Sequence, residues 1–448
     1  MNKKVLIVSL IAALGGLLFG FDTAVISGTT DALTAVFGLS SASLGFTVAS
    51  ALIGTILGAF FIGGPADKYG RKNSLKVIAL MYVVASLGTA LAWNWYSFLI
   101  FRFIGGIAVG ASSVVAPMYI AEIVPSAYRG RMVALAQFNI VFGILLAFFS
   151  NLLVSYFVQG DTQWRWMLGI MALPSVIFFL LLNFIPFSPR WLISKGRNEE
   201  AKKVLQDLSN NEQEANASYT EIMQFFKQES GKGNEVLFCK KYTKLIWLAI
   251  AIAAFNQLSG INAVLYYAPH IFQMAGAGVK GALLQSVIIG GTNLIFTMLA
   301  LLVIDMFGRR KLMLIGSVGY IISLGTLAAT FFKYGTNFTD SSALIVLGSL
   351  VLFIASHAFG QGAVIWVFIS EIFPNSIRAK GLALGSFTHW IMAALISWTF
   401  PIIAGISGGV IFTLYALCMA GQLFWVLFIM PETKGIPLEK MNKELGIE

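Results

Sequence analysis

Two ionisable side chains, Asp22 and Arg102, stand inside stretches that are otherwise apolar. An ionised group at mid-bilayer costs about 2.5–3.5 kcal/mol on insertion scales, so each must face a partner or a wet cavity. Their opposite signs make them natural partners. Burial favours the neutral acid, whereas a neighbouring guanidinium favours the carboxylate. Such opposed pulls suit a group that takes up and releases a proton. A static ion pair that only orients two helices would use the same residues, and this pattern alone leaves both readings open.

Neutral polar groups form a second set. Gln137 lies in the fifth apolar run, and Asn256, Gln257 and Asn262 surround Gly260 in the seventh. Asn293 follows in the eighth, Trp366 in the tenth, and His389 with Trp390 in the eleventh. Amides both donate and accept, as sugar hydroxyls do, and an indole face covers the apolar side of a sugar ring. A single buried Asn or Trp serves equally well as glue between helices. The run Asn256-Gln257-Leu-Ser-Gly-Ile-Asn262 is different, because several amides share one span broken at a glycine. It predicts a cavity for a polyhydroxyl solute.

A third set is charged and repeated. Ile120-Ala-Glu-Ile-Val-Pro-Ser-Ala-Tyr-Arg-Gly-Arg131 is echoed by Ile369-Ser-Glu-Ile-Phe-Pro-Asn-Ser-Ile-Arg-Ala-Lys380, and Asp67-Lys-Tyr-Gly-Arg-Lys72 by Asp305-Met-Phe-Gly-Arg-Arg-Lys311. Asp67 and Asp305 each precede a Gly-Arg-basic turn carrying Arg71 or Arg309, while Glu122 and Glu371 precede Arg129 and Arg378. Such groups can pair across helix ends and hold one face shut. As isolated surface pairs each would contribute little and would mark topology only. Their recurrence in both halves favours the gate, and internal repeats of this kind are the architecture of secondary transporters.

The elements that must position these groups are transmembrane helices. Of 448 residues, 58% are hydrophobic and 11% charged, with a mean hydropathy of +0.82. A soluble domain so apolar would have to face water with its core residues. A helical crossing takes about 20 apolar residues, and twelve such runs can be read, six on each side of a polar interruption. The boundaries are residues 1–186 for the first half, 187–242 for linker helices, 243–430 for the second half and 431–448 for a short tail. In the linker, Arg197-Asn-Glu-Glu-Ala-Lys-Lys is a good helix former, and Ser218-Tyr-Thr-Glu221 reads as a capping box. Lys3 and Lys4 precede the first run, which lacks a convincing cleavage site and is kept as the first helix.

The net charge of +10 could suggest nucleic acid, but its distribution gives another answer. Lys and Arg gather at the N-terminus, after the even-numbered runs, in the linker and in the tail, which places both termini in the cytoplasm by the positive-inside rule. The expected location is the cell (inner) membrane. Cys239 and Cys418 have neither disulfide nor metal-ligand spacing. Asn337-Phe-Thr339 reads as a glycosylation sequon of little weight. With no nucleophile–base pair, metal spacing or nucleotide loop, neither an enzyme nor a cofactor is expected.

Together these residues resemble the sugar porters of the major facilitator superfamily over essentially the whole chain. The matching pieces are Gly15-Gly-Leu-Leu-Phe-Gly-Phe-Asp22, Gly63…Asp67…Gly70-Arg71-Lys72, Arg102-Phe-Ile-Gly-Gly, Pro117-Met-Tyr-Ile-Ala-Glu122, Gln257…Gly260-Ile-Asn262, Asp305…Gly308-Arg309-Arg310 and Pro431-Glu-Thr-Lys-Gly435. The chain looks closest to bacterial proton-coupled xylose, arabinose and galactose symporters, with GLUT-type facilitators as cousins. The resemblance implies an all-α, twelve-helix rocker-switch that works as a monomer in the bilayer, with one sugar between two six-helix halves. It implies that Asp22 is the proton-coupling carboxylate and Arg102 its partner. It puts Phe19, Gln137, Asn256, Gln257, Asn262, Asn293, Trp366 and Trp390 on sugar-contact positions, with the proton as coupling ion.

The departures from the family pattern bear on substrate and gating. Ile144, two turns beyond Gln137, stands where xylose symporters carry a glutamine and glucose carriers an isoleucine, which makes a hexose more plausible. Asn256 replaces a usual glutamine. His389 replaces an amide, either as a neutral hydrogen-bonding substitute or as a pH-sensitive one, since imidazole ordinarily titrates near 6.5. Gly362-Ala363 lacks the family's proline, so less kinking of the tenth helix is expected. Phe187 replaces a glutamate of the cytoplasmic charge network. The expectation is proton-coupled import of glucose, xylose, galactose or arabinose. A passive uniporter and a non-transporting sugar sensor of the same fold are the alternatives; sensors of this kind carry long cytoplasmic tails.

Overall fold

The computed structural model describes residues 2–125, 128–229, 235–335, 337–374 and 376–435, without the side chains at 129–131, 133, 225, 227–229 and 305. The expected gate residues Arg129 and Asp305 therefore have side chains outside the described set. The fold is all-helical. Among the described residues, twelve helical spans are long and apolar enough to cross a bilayer. They are α1 (Lys3–Phe37), α2 (Ser41–Phe61), α3 (Arg71–Ala90), α4 (Trp95–Ile123), α5 (Ala134–Phe157), α6 (Gln163–Leu181), α7 (Lys240–Met274), α8 (Val279–Ile304), α9 (Arg309–Tyr334), α10 (Asp340–Ile372), α11 (Arg378–Ala404) and α12 (Gly408–Phe428). Helices satisfy every backbone polar group within the segment, as hydrocarbon demands. The chain is a multi-pass membrane protein.

Local chemistry sets the helix ends. Asn94 with Ser97 and Thr339 with Ser342 form reciprocal capping boxes at the starts of α4 and α10. Thr339 of the Asn337-Phe-Thr339 sequon thus serves as a helix cap. The repeated Gly-Arg turn has a backbone cause. Gly70 and Gly308 take φ of 88° and 86° immediately before α3 and α9, a region costly for any residue with a Cβ. Gly260, at φ 86°, divides α7 into Thr243–Leu258 and Ile261–Met274. The irregularity of α10 is a π-helical turn over Ala358–Gly362, directly before the position at which the family's proline is missing.

The chain divides into two compact units. Unit 1 comprises Met1–Asp22, Gly54–Ile144 and Leu168–Asn234; unit 2 comprises Thr23–Ile53, Leu145–Met167 and Glu235–Glu448. In unit 1, α2 and α4 touch through their backbones: a Cβ on Gly58 or Gly110 would lie 2.2 Å from Ile107 O or 2.0 Å from Thr55 O. Such close approach is how helices associate where lipid removes the hydrophobic drive. In unit 2, Asn151 donates from Nδ2 to Val25 O at 2.9 Å and Trp398 from Nε1 to Ala42 O at 3.1 Å. Asp31 accepts there from His270 and Gln273, at 3.1 and 2.9 Å.

The polar segment after α6 folds into short helices over Pro189–Ser194, Asn198–Leu208 and Glu212–Glu229. They share a small core built on Trp191, Leu192, Leu205, Ala215 and Ile222. The capping box expected at Ser218–Glu221 is not one. The helix begins at Glu212, and Asn211 Oδ1 accepts the Glu214 N–H at 2.8 Å. An asparagine ahead of two glutamates outcompetes the later serine, because Asn is a strong cap and acidic residues suit the first turn.

Candidate substrate and coupling site

In unit 1 the helix α1 presents Phe19 and Asp22, α4 presents Arg102, and α5 presents Gln137 and Ile144. Asp22 and Arg102 are 7% and 3% exposed, and Arg102 Nη1 donates to Asp22 Oδ1 at 3.0 Å. This is a buried ion pair held by one hydrogen bond. Arg102 Nε and Nη2 have no hydrogen-bond partner among the described residues. Gly105 faces the acid, since a Cβ there would lie 3.6 Å from Asp22 Oδ1, in ordinary contact. Breaking a buried pair by removing one partner costs about 3–5 kcal/mol, because the remaining charge is left uncompensated. Protonation, which neutralises the acid in place, avoids most of that cost.

Ile144 is buried, while Phe19 and Gln137 are half-buried. A Cβ on Gly20 would meet Ile140 O at 1.9 Å and Ile144 N at 3.1 Å. The backbone of α1 therefore lies directly on α5, beside Phe19 and Ile144.

The amides of unit 2 form a connected group. Gln257 donates from Nε2 to Asn256 Oδ1, and Asn262 donates from Nδ2 to Gln257 Oε1, both at 2.9 Å. The break at Gly260 allows this, because it brings Asn262 back toward the end of the preceding helix. Gln257 Nε2 also faces the ring nitrogens of His389 at 3.3 Å. An –NH2 group only donates, so a facing ring nitrogen has to be bare. That geometry favours the neutral substitute over the pH-sensitive one. The His389 ring lies 5.3 Å from Trp366 and 4.9 Å from Trp390, tilted to the first and edge-on to the second. Trp366 is 38% exposed, whereas Asn256 and Gln257 are almost fully buried. Amides and indoles thus meet at one place, with part of Trp366 exposed. Asn293 accepts from Thr297 Oγ1 at 3.3 Å.

The charged motifs organise helix ends within each unit. Arg71 in unit 1 reaches Asp67 Oδ1 and Glu122 Oε1, each at 2.9 Å. Trp191 donates from Nε1 to Asp67 O at 3.0 Å. Phe187 stacks on Trp191 at 5.3 Å, with Lys72 Nζ 5.3 Å from the Phe187 ring centre. An aromatic contact occupies the place where a glutamate would have offered an ion pair. In unit 2, Arg309 grips Glu371 through Nε and Nη2 at 3.0 and 2.7 Å. Glu371 does not pair with Arg378, whose Nε and Nη2 have no partner among the described residues. Seven residues separate Glu371 from Arg378 along the chain, and the acid is taken instead by Arg309 and Thr433.

One feature of this face was missed in the sequence. Glu432 accepts the backbone N–H groups of Arg309 and Arg310 at 2.9 and 3.1 Å. Thr433 Oγ1 donates to Glu371 Oε2 at 2.6 Å. A carboxylate at a helix N-terminus meets unpaired N–H groups and the positive end of the helix dipole. The acid in Pro431-Glu-Thr-Lys-Gly435 was the available signal. A second omission is the buried row in which Gln361 donates to Gln422 at 2.6 Å and Gln422 to Ser317 at 2.8 Å.

A family model described as "Sugar (and other) transporter" matches residues 8–445. The chain belongs to that sugar transporter family. Its relatives include the D-xylose-proton symporter of Escherichia coli (strain K12), 37% identical over 97% of this chain and 94% of the relative. They also include the glucose transport protein of Synechocystis sp., 35% identical over 98% of this chain and 97% of the relative. Among solved structures, the inward open conformation of the xylose transporter XylE from E. coli is similar, with a TM-score of 0.86 at 35% identity. That match covers 98% of this chain and 99% of the other. The protein is a sugar transporter of the major facilitator superfamily, not an enzyme.

Proposed function

We propose that this transporter carries a monosaccharide inward together with a proton, and that Asp22 takes up and releases that proton. The observation that carries the reading is the Asp22–Arg102 pair, buried and joined by one hydrogen bond of 3.0 Å. Protonating Asp22 removes its charge and frees Arg102; deprotonating it restores the pair. Two protonation states with different helix contacts bias two conformations, which is the requirement for coupling. An inside-negative potential supplies about 2.3 kcal/mol per proton per 100 mV, enough for roughly 50-fold accumulation of a co-transported neutral solute.

The sugar is held at the amide–aromatic group of Asn256, Gln257, Asn262, Trp366, His389 and Trp390. Its hydroxyls pair with Asn256, Gln257 and Asn262, and a ring face rests on the partly exposed indole of Trp366. Phe19, Gln137 and Asn293 contribute on their own helices, and Ile144 favours a hexose over xylose. Both termini lie on the cytoplasmic side, where Asp67, Arg71, Glu122, Arg309 and Glu371 belong to the gate.

The test is uptake of labelled glucose, xylose, galactose and arabinose into proteoliposomes, with and without an imposed inward proton gradient. Accumulation above equilibrium that collapses with a protonophore is expected, and the preferred sugar decides the Ile144 argument. Asp22→Asn is expected to abolish accumulation and to retain sugar exchange. Equilibration without accumulation by the wild type would make the protein a uniporter and the pair a structural one.

A further inference from the structure

Between its first half and Trp366, α10 passes through the π-helical turn Ala358–Gly362. Such turns are rare, carry one residue more than an α-helical turn, and gather at functional sites. A rare conformation in the middle of a long helix needs a partner that favours it.

Helix α9 is that partner. Glycines bring the two backbones together: a Cβ on Gly360 would lie 3.1 Å from Gly316 Cα, and one on Gly316 3.0 Å from Ser356 O. One turn along α9 from Gly316, the wholly buried Tyr320 packs its ring 5.3 Å from that of Phe353. Its Oη shares a hydrogen bond of 2.6 Å with Nδ1 of His357, the residue directly before the π-turn. The imidazole also covers the end of the turn, since a Cβ on Gly362 would lie 3.1 Å from His357 O and 3.4 Å from His357 Nε2. Both ends of the turn therefore rest on one residue, and Tyr320 holds its ring. Trp366 follows Gly362 by four positions, on the same face of the helix. It meets the His389 ring at 5.3 Å, and His357 and His389 are within electrostatic reach of each other.

The same hydroxyl bears on α7. Tyr320 also reaches Ser259, the wholly buried residue before Gly260. Ser259 Oγ donates to Asn256 O at 2.7 Å and accepts from the Ile261 N–H at 3.3 Å. It thus ties the two halves of α7 across the break that turns Asn262 back to Gln257. One phenol on α9, a helix that supplies none of these amides or indoles, joins the π-turn before Trp366 to the break among the amides.

We propose that Tyr320 and His357 are positioning residues for sugar binding: their hydrogen bond fixes the π-turn, and with it the place of Trp366 beside His389. The inference rests on the reading that the amide–aromatic group holds the sugar. The bond acts through helix register. Were the turn to relax to α-helix, each residue beyond it would rotate by about 100° about the helix axis, and Trp366 would leave His389. Tyr320→Phe keeps the ring and its packing but takes from His357 Nδ1 its hydroxyl partner.

The experiment measures equilibrium binding of labelled glucose, xylose, galactose and arabinose to the purified full chain, and continues with the sugar the wild type binds. Exchange of that sugar at saturation, in proteoliposomes, is measured beside it. Tyr320→Phe is expected to weaken binding about tenfold, the scale of one lost hydrogen bond, and to leave saturated exchange within about twofold of wild type. His357→Asn places an amide where Nδ1 stands and keeps a partner for Tyr320, so it is expected to bind within about threefold of wild type. A Tyr320→Phe protein with wild-type affinity, whatever its melting temperature, would make the bond a structural tie only and overturn the proposal. So would His357→Asn binding as weakly as Tyr320→Phe, because the imidazole rather than its bond would then matter. Trp366→Ala is expected to lose most binding; wild-type affinity there would refute the sugar-site reading itself, independently of Tyr320.

Discussion

Gly20→Ala should be the most damaging single methyl in unit 1. The added Cβ would sit 1.9 Å from Ile140 O, 2.8 Å from Ile140 C and 3.1 Å from Ile144 N, whereas ordinary contact begins at 3.4 Å. The obstacle is backbone, so no rotamer change relieves it. Relief requires α1 and α5 to part by about 1.5 Å, the difference between 3.4 and 1.9 Å. The partner glycine meets the same limit from the other side: a Cβ on Gly143 would be 2.1 Å from Leu17 O. Overpacking of this kind costs about 1–3 kcal/mol, and each separated atom pair forfeits part of its dispersion energy. Lipid does not restore what the helices lose, because acyl chains are as apolar as the surfaces they replace. Asp22, two residues on, is tied to α4 rather than α5, so the displacement also strains the ion pair. The assay is thermal unfolding of the purified protein in detergent, with Gly291→Ala as control, since nothing lies within 4 Å of a Cβ there. Gly20→Ala and Gly143→Ala should each melt well below that control. Their combination should cost less than their sum, because one displacement relieves both clashes. A Gly20→Ala protein that melts with the control, or two costs that add, would refute the backbone contact.

Two other perturbations test the polar interior and the linker. Gln361→Leu leaves the buried Gln422 Oε1 without its donor, and Gln422→Leu strands Gln361 Nε2; each single change should cost about 1–3 kcal/mol in thermal unfolding. The double Leu variant should be less damaging than the two singles combined, since no amide is then left unpaired; full additivity would count against the network. Glu235 accepts from Tyr242 Oη at 2.6 Å and Ser376 Oγ at 2.9 Å, and these bonds hold its carboxyl below the usual carboxylate range. A lowered folded-state value means the stabilisation is present above the ordinary carboxylate pKa and fades as pH falls through the folded value. A spin label on the exposed Cys239, with Cys418→Ser, should therefore gain mobility in Glu235→Gln at neutral pH. As pH falls through that lowered folded-state value the difference from the parent should disappear, and a mobility difference unchanged by pH would contradict the assignment.

The fold was legible because its determinants are local. Apolar runs of bilayer length, glycines before Arg71 and Arg309, and the basic residues at span ends are each visible without knowing what packs on what. The amide group was legible for a related reason: Asn256, Gln257 and Asn262 sit within seven consecutive residues, and Gly260 announced the break that folds them together. Lateral partners were not legible. Glu122 finds Arg71, fifty-one residues away, and Glu371 finds Arg309, sixty-two away. Arg378, which follows Glu371 in sequence, looked equally suitable, because charge alone does not encode which helix end comes near. Ser218 misled for the same reason in miniature: a capping signature has meaning only where a helix starts, and Asn211 had already started it.

The duplicated motifs also show that sequence repetition need not yield equal mechanics. Both copies place an arginine directly after a left-handed glycine and direct it to a glutamate at the end of another span. In unit 1 the arginine divides its guanidinium between Asp67, whose side chain is 72% exposed, and Glu122. In unit 2 it donates to Glu371 from Nε and Nη2 and to Ile304 O from Nη1, and Glu432 and Thr433 then hold the backbone N–H groups and the same carboxylate. The unit 2 copy is therefore extended by a segment that lies outside the repeated motifs: Glu432 closes on the start of the arginine's own helix and Thr433 on the acid that the arginine holds.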